Sequence, residues 1–501
     1  MTKLSRWTAI YNPPMNEMKL QLSNPFAVQT PEDIEPADAL ALFVDVFTDF
    51  HKVLKPGHTF VHGPRGAGKS MMFRYILPDC QRLELRNING KGSVADLEYF
   101  SVYIPIKLTN VKLTDLERLV DKHANHILNE HRLVSLILIN LLVSLKRLFD
   151  DEAEILDRSE VKNFFSDVFC DLLADCGWEV DVTGLTEESD TNAYFHKMLT
   201  VASKIGRNFS KYTHRLWVSK EPVGYDGPIL GYLDFLLPFV DELKSLSFMP
   251  NGPIFLLIDD ADNLNETQKT ILNTWVSYRT TSDISIKAST QLNYDNWLTV
   301  TGQTIDSPHD YSEVNISAIY TTSKGKYLER VEAIVRKRLD GYNIGIAPKD
   351  FFPPDKKQEE EIQKERESIR EHFSTEGRGY RVSDDVTRYA RPNYIRRLKS
   401  ASKSGPSYSY AGFDQLVHIS SGIIRHFLEA ASLMYSNMQS RNPHSEITFI
   451  EPGIQNEVVR QLANQYLFSE FDKLQTGTGS EKVPLATARK LRNLIEAMGR
   501  T

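Results

Sequence analysis

The chain has 501 residues, 41% hydrophobic and 25% charged, which gives length for two or three domains and an ordinary globular composition. A net charge of −7 argues against a protein that coats nucleic acid with its whole surface, while leaving room for a local basic patch. The three cysteines, Cys80, Cys170 and Cys176, have neither metal-ligand nor redox spacing, which suits a reducing cytoplasm, and the opening MTKLSRWTAIYNPP lacks the apolar core of a secretion signal.

Residues 1–35 read as an N-terminal arm, with turn chemistry at Asn24-Pro25-Phe26 and Thr30-Pro31. Residues 36–54 place apolar side chains at helical spacing. Residues 59–62 then read as a short strand, and a Gly-rich loop follows. A helix is expected over 71–77, ended by Pro78. The alternation at 102–108 (VYIPIKL) predicts a second strand. From about 113 to 246 the pattern is helical. Its most apolar run, 133–145, has 13 residues where a membrane span takes about 20, so it reads as a buried helix with no membrane role. The run 254–260 (IFLLIDD) is short, apolar and preceded by Gly252-Pro253, which predicts a buried strand ending in acids. A helix over 267–278 and a strand over 284–288 follow. Strands alternating with helices make this an α/β fold, a parallel sheet with helices on both faces. Beyond about 321 helices dominate: 327–339, the highly charged 356–373, and 415–438 with a break at Ser421-Gly422. Residues 445–501 suggest a strand-like piece and two helices around a linker at 476–480. The expected organisation is an arm (1–35), an α/β core (36–320) with a helical insertion (about 113–246), a helical lid (321–440) and a small C-terminal helical region (441–501).

Two motifs carry chemistry. Gly63-Pro64-Arg65-Gly66-Ala67-Gly68-Lys69-Ser70 fits the phosphate-binding pattern G-x-x-x-x-G-K-[ST], with a strand before it and a helix behind it. Glycines let backbone N–H groups approach phosphate, Lys69 reaches the β- and γ-phosphates, and the Ser70 hydroxyl ligates Mg²⁺. Asp259, at the end of the buried strand, is the expected second metal-side residue, and Asp260 is placed to polarise an attacking water. An ordinary strand terminus with exposed acids is the plainer alternative for this pair. The guanine-reading pattern N/T-K-x-D is absent from the sequence, so ATP is the expected nucleotide, with Mg²⁺.

With these motifs the chain resembles the AAA+/STAND division of P-loop NTPases, and more narrowly bacterial ATPases of the origin-recognition-complex type. Asn24-Pro25-Phe26 and the segment 36–54 resemble the lead-in of that family. Ser289 and Thr290, after the strand 284–288, fall where the family carries its sensor-1 residue. Ser421-Gly422-Ile423-Ile424-Arg425 resembles its sensor-2 helix, which implies that Arg425 meets the γ-phosphate; a surface arginine on a helix is the alternative. Three departures qualify the likeness. Lys69 and Asp259 stand 190 residues apart, so 113–246 reads as an insertion. The acidic pair is Asp-Asp, as in STAND switches, where motors carry Asp-Glu. Between Lys287 and Lys324 there is no Lys or Arg, so the arginine finger expected there, worth about 10³–10⁵ in rate, is missing.

From Val386 to Phe413 there is no acidic residue, and Arg388, Arg391, Arg396, Arg397, Lys399 and Lys403 alternate with tyrosines. Basic groups with interleaved aromatics suit nucleic acid, and a lid face contacting nucleotide or a neighbouring subunit is the plainer reading. Residues 445–501 are short for the winged-helix DNA reader of an initiator. No HExxH, GxSxG or Cys-x-x-Cys marks a second catalytic centre. The resemblance therefore implies a slowly hydrolysing ATP switch, working as a homo-oligomer or with a separate effector as in phage defence. A DNA-binding initiator or loader is the competing reading.

Overall fold

The computed structural model describes residues 24–27, 33–45, 49–90, 92–107, 116, 119, 121–149, 156–185, 189–219, 223–291, 294–316, 326–376, 382–400, 407–443, 445–469, 471 and 485–500. Gln29–Lys324 form one compact unit, and Gly325–Thr501 form a second that also takes in residues 24–27.

In the first unit, α1 (Pro36–Leu42) and α2 (Phe50–Val53) replace the single helix expected over 36–54. Phe43 turns to extended backbone and its ring stacks on Tyr75 at 4.0 Å, so aromatic packing overrides the helical period. Strand β1 (Thr59–His62) leads into α3 (Lys69–Tyr75). α3 stops at Tyr75, short of Pro78 as expected, and Pro78 then opens a second helix, α4 (Pro78–Asn89), from the first turn, where its missing N–H costs nothing. Strand β2 (Phe100–Pro105) starts two residues earlier than the alternation suggested, because Phe100 is fully buried and its N–H bonds Pro253 O at 3.2 Å. It ends at Pro105, with Lys107 in a turn and Leu108 outside the described residues.

The insertion contributes α5 (Lys122–Phe149), α6 (Arg158–Asn163), α7 (Asp171–Asp175), α8 (Thr191–Val218) and α9 (Leu237–Lys244). Strand β3 (Ile254–Asp259), α10 (Glu266–Ser277), β4 (Ile284–Thr290) and β5 (Ser312–Asn315) complete the unit. The five strands pair in parallel in the order β2-β3-β4-β1-β5, so β3 and β4 are central and buried along their whole length. That burial explains the unbroken apolar run of β3. The insertion shares the core of the sheet. Val134, Leu138, Leu141 and Leu145 of α5 and Met198 and Ile205 of α8 join one cluster with Val102, Ile104, Leu256, Ile258 and Ile286. Polar ties reinforce it: Glu130 accepts from Trp275 Nε1 at 2.9 Å, and Gln268 Nε2 donates to Asn129 Oδ1 at 3.1 Å.

The described part of the second unit is helical: α11 (Lys326–Asp340), α12 (Pro348–Phe351), α13 (Lys356–Glu376), α14 (Val382–Ser400), α15 (Phe413–Ile419), α16 (Ile424–Arg441), α17 (Pro452–Asn464) and α18 (Leu485–Arg500). The strand-like piece expected after 445 is not a strand among the described residues. Ile447 and Ile450 are buried there as irregular chain, and Ile450 N makes one backbone bond to Phe351 O at 2.7 Å. Residues 24–27 pack inside this unit. Asn24 Oδ1 accepts from Phe26 N at 2.9 Å, its Nδ2 donates to Ser432 O at 2.9 Å, and Arg338 donates to Pro25 O at 2.8 Å. Phe26 is completely buried against Phe351, Phe352 and Tyr435. The structure is thus an α/β P-loop NTPase fold with a helical insertion and a C-terminal helical part.

Candidate functional site: the P-loop and the acidic strand end

The loop Gly63–Ser70 crosses from β1 to α3. Gly66 (φ 86°) and Gly68 (φ 103°) hold left-handed backbone that other residues rarely adopt. A Cβ on Gly63 would come within 3.2 Å of Ile316 Cβ, so the first glycine is needed for space. Gly63 N donates to Thr290 O at 3.2 Å and Ala67 N to Pro64 O at 3.2 Å, which ties the loop to β4 and to itself. Pro64 is half-buried, Ala67 buried and Arg65 exposed. Lys69, 6% exposed, folds its ammonium back onto Gly63 O at 2.7 Å and Pro64 O at 3.2 Å. Ser70 follows it in the first turn of α3.

Register brings the acidic strand end to the sensor strand: Ile258 pairs with Ala288, so Asp259 lies beside Ser289. Ser289 Oγ donates to Asp259 Oδ1 and accepts from Asp260 N at 3.0 Å. Asp260 N also meets Asp259 Oδ1 at 3.1 Å, and Tyr103 OH donates to Asp259 Oδ2 at 2.7 Å. Asp259 is 4% exposed and has both carboxylate oxygens engaged. Asp260 differs. It sits in left-handed backbone (φ 56°) at the turn after β3, and its carboxylate carries no hydrogen bond among the described residues. Burial first, then the nearby Asp259 and Asp262, raise its pKa above the ordinary carboxylate value, while Lys69 and Lys107 pull it down.

Thr290 takes a different partner. Its Oγ1 lies 2.6 Å from His62 Nδ1, so Ser289, and not Thr290, joins the acidic pair. Arg425 is exposed in the first turn of α16, just after the left-handed pair Ser421 (φ 53°) and Gly422 (φ 81°), and makes no ion pair among the described residues. The basic tract is α14, a helix with Pro392 inside it, and two of its arginines are committed to α13. Arg391 pairs with Glu359 at 2.6 Å; Arg397 pairs with Glu361 at 2.7 Å and Glu365 at 3.1 Å. Arg388 and Arg396 stay exposed, Arg396 within 3.2 Å of Asn393 Oδ1. Lys399 ends the helix backbone without a described side chain, and Lys403 lies outside the described residues.

Tyr103 and His62 are the site residues that motif reading missed. Each is one of two polar residues in a mostly apolar strand (FSVYIP, TFVH), and only the strand register shows what it meets. For a divalent cation, the donors at hand are hard oxygens, the Ser70 hydroxyl and the Asp259 carboxylate. No cluster of three or more His, Cys, Asp or Glu suited to a metal occurs among the described residues. That set fits Mg²⁺, which takes one or two carboxylates and completes its shell with phosphate and water. Comparison with curated proteins returned no match, and neither did comparison with solved structures. A family model does match, the ORC-CDC6-like model, over residues 24–382 and 374–501. With its P-loop on β1, acids at the end of β3 and strand order β2-β3-β4-β1-β5, the chain belongs to the ORC-CDC6-like family of AAA+ ATPases.

Proposed function

We propose that the protein is an ATP-binding, slowly hydrolysing regulatory switch of the STAND type. The observation that carries this is the acidic pair. Asp259 is anchored by Ser289 and Tyr103, while the adjacent carboxylate is the short Asp260, set on a left-handed turn. In this reading the N–H groups of Gly63–Ser70 and the Lys69 ammonium bind the phosphates of ATP. Nucleotide entry draws Lys69 off Gly63 O and Pro64 O and exchanges two carbonyl contacts for charge-assisted bonds to phosphate. Ser70 and Asp259 would hold Mg²⁺, which would supply charge neutralisation for the phosphates when bound. Asp260 orients a water toward the γ-phosphate. The stretch without Lys or Arg between Lys287 and Lys324 keeps unassisted turnover slow. A role in anti-phage defence, with a separate effector and assembly into oligomers, rests on the resemblance to bacterial origin-recognition-type ATPases.

A DNA-binding initiator or loader is the second reading, supported by the exposed Arg388 and Arg396 on α14. Steady-state ATP hydrolysis by wild type beside Lys69→Ala, with and without DNA, separates the two. The switch expects tight ATP binding and slow turnover indifferent to DNA, both lost in Lys69→Ala. Strong stimulation by DNA that disappears in Lys69→Ala would instead select the loader.

A further inference from the structure

We infer that Tyr103 is a positioning residue for the metal-side carboxylate Asp259; this rests on the reading of Asp259 as a Mg²⁺ ligand. In the parallel pairing of β2 and β3, Tyr103 stands opposite Leu257. Asp259 is two residues further along β3 and therefore on the same face of the sheet as Leu257 and Tyr103. The phenol reaches diagonally up that face and donates to Asp259 Oδ2 at 2.7 Å. Ser289 Oγ and Asp260 N occupy Oδ1 from the other side. Asp259 is thus gripped by donors from both neighbouring strands, which fixes the plane of its carboxylate and leaves one lone pair on Oδ2 for a cation.

A second observation places Tyr103 at the site. Tyr103 and Ser70 line one open cavity of about 230 Å³, together with Asn140, Ser144 and Arg147 of α5. The residue expected to hold the cation and the residue that orients the carboxylate therefore border the same space, and α5 of the insertion lines it as well. Partners that orient a ligating carboxylate cost about 10–100-fold in metal affinity when removed.

The test is a Mg²⁺ titration of fluorescent ATP-analogue binding, run on wild type, Tyr103→Phe and Asp259→Asn, beside the same binding in EDTA. Mn²⁺ binding to the nucleotide-loaded protein, followed by electron paramagnetic resonance, gives a readout free of turnover. Phenylalanine keeps the ring and removes only the hydroxyl. The expected result is a Mg²⁺ midpoint raised about 10–100-fold in Tyr103→Phe, with affinity in EDTA and melting temperature unchanged. Equal weakening with and without Mg²⁺ would mark Tyr103 as a packing residue and overturn the inference. A wild-type midpoint in Tyr103→Phe, alongside lost Mg²⁺ dependence in Asp259→Asn, would overturn it and leave the site reading standing. Unaltered Mg²⁺ dependence in Asp259→Asn would remove the site reading, and the role of Tyr103 with it.

Discussion

Asp260 shows how one side chain can be unfavourable to the fold and useful to the chemistry. It is a non-glycine residue in left-handed backbone, beside a second carboxylate, with no hydrogen bond to its carboxylate oxygens among the described residues. Its pKa is raised in the folded protein, so the folded state binds the proton more readily than the unfolded chain does. Its contribution to stability is therefore greatest below the ordinary carboxylate pKa and is lost as pH rises through the raised value. At neutral pH the ionised group is a net cost. Asp260→Asn keeps a residue that tolerates left-handed backbone and removes the charge. We expect a higher urea midpoint than wild type at pH 7, and a difference that shrinks toward pH 4. ATP hydrolysis should fall about 10²–10⁴-fold, the usual worth of a general base, while ATP binding persists. A variant that is no more stable at pH 7 would mean that the like-charge repulsion is relieved some other way.

Helix α14 changes what its basic residues can be asked to do. From Val386 to Phe413 the sequence has no acids and reads as a cationic tract. In the fold, α13 supplies the acids: Glu359, Glu361 and Glu365 neutralise Arg391 and Arg397, and Ile362, Ala390 and Tyr394 make a small core between the helices. That packing offsets the backbone bond that Pro392 removes, roughly 3 kcal/mol in a helix interior. Such exposed ion pairs are each worth about 0–1 kcal/mol. Arg397→Ala should therefore lower the thermal midpoint slightly, and Arg388→Ala with Arg396→Ala should leave it unchanged. If DNA binds here, Arg388 and Arg396 are the exposed described arginines of the helix not paired with α13, and filter binding at two salt concentrations should show the double variant weaker and less salt-sensitive. Equal DNA affinity in wild type and the double variant would end the nucleic-acid reading of this helix. The same contrast separates what was legible in the sequence. The Gly63–Ser70 loop and the 254–260 run were readable because their chemistry is local: a fixed spacing and an unbroken apolar stretch. Tyr103 and the choice of Ser289 over Thr290 at Asp259 depend on strand register, and the pairing of the 382–400 arginines depends on the helix before them. The break at Phe43 was likewise hidden, because its cause is a ring 32 residues further on.

At the scale of the molecule, the core of the first unit includes the insertion, and this places two buried imidazoles where protonation acts on the whole unit. His131 of α5 is fully buried, lies 3.0 Å from Tyr225 OH through Nε2 and accepts from Leu230 N at 3.0 Å through Nδ1. His58, just before β1, is 2% exposed and accepts from Ile286 N at 3.1 Å. Burial lowers both: His131 to about 3, and His58 to about 4, with Lys287 adding to the effect and Asp310 opposing it. Between the ordinary histidine pKa near 6.5 and these values, the unfolded chain holds protons that the folded one does not. Stability from the two residues is therefore complete above about pH 6.5 and is lost as pH falls toward 4. Each contributes up to about 1.4 kcal/mol per pH unit in that window. The four tryptophans among the described residues, Trp178, Trp217, Trp275 and Trp297, lie in this unit, so their fluorescence reports on it. Urea unfolding followed by tryptophan emission should show a midpoint that drops steeply from pH 6.5 to 4.5, and less steeply in His131→Gln. A flat profile would mean that protonated imidazole is accommodated without opening the shared core. The insertion and the nucleotide-binding sheet would then be separable in stability, even though they share one cluster of side chains.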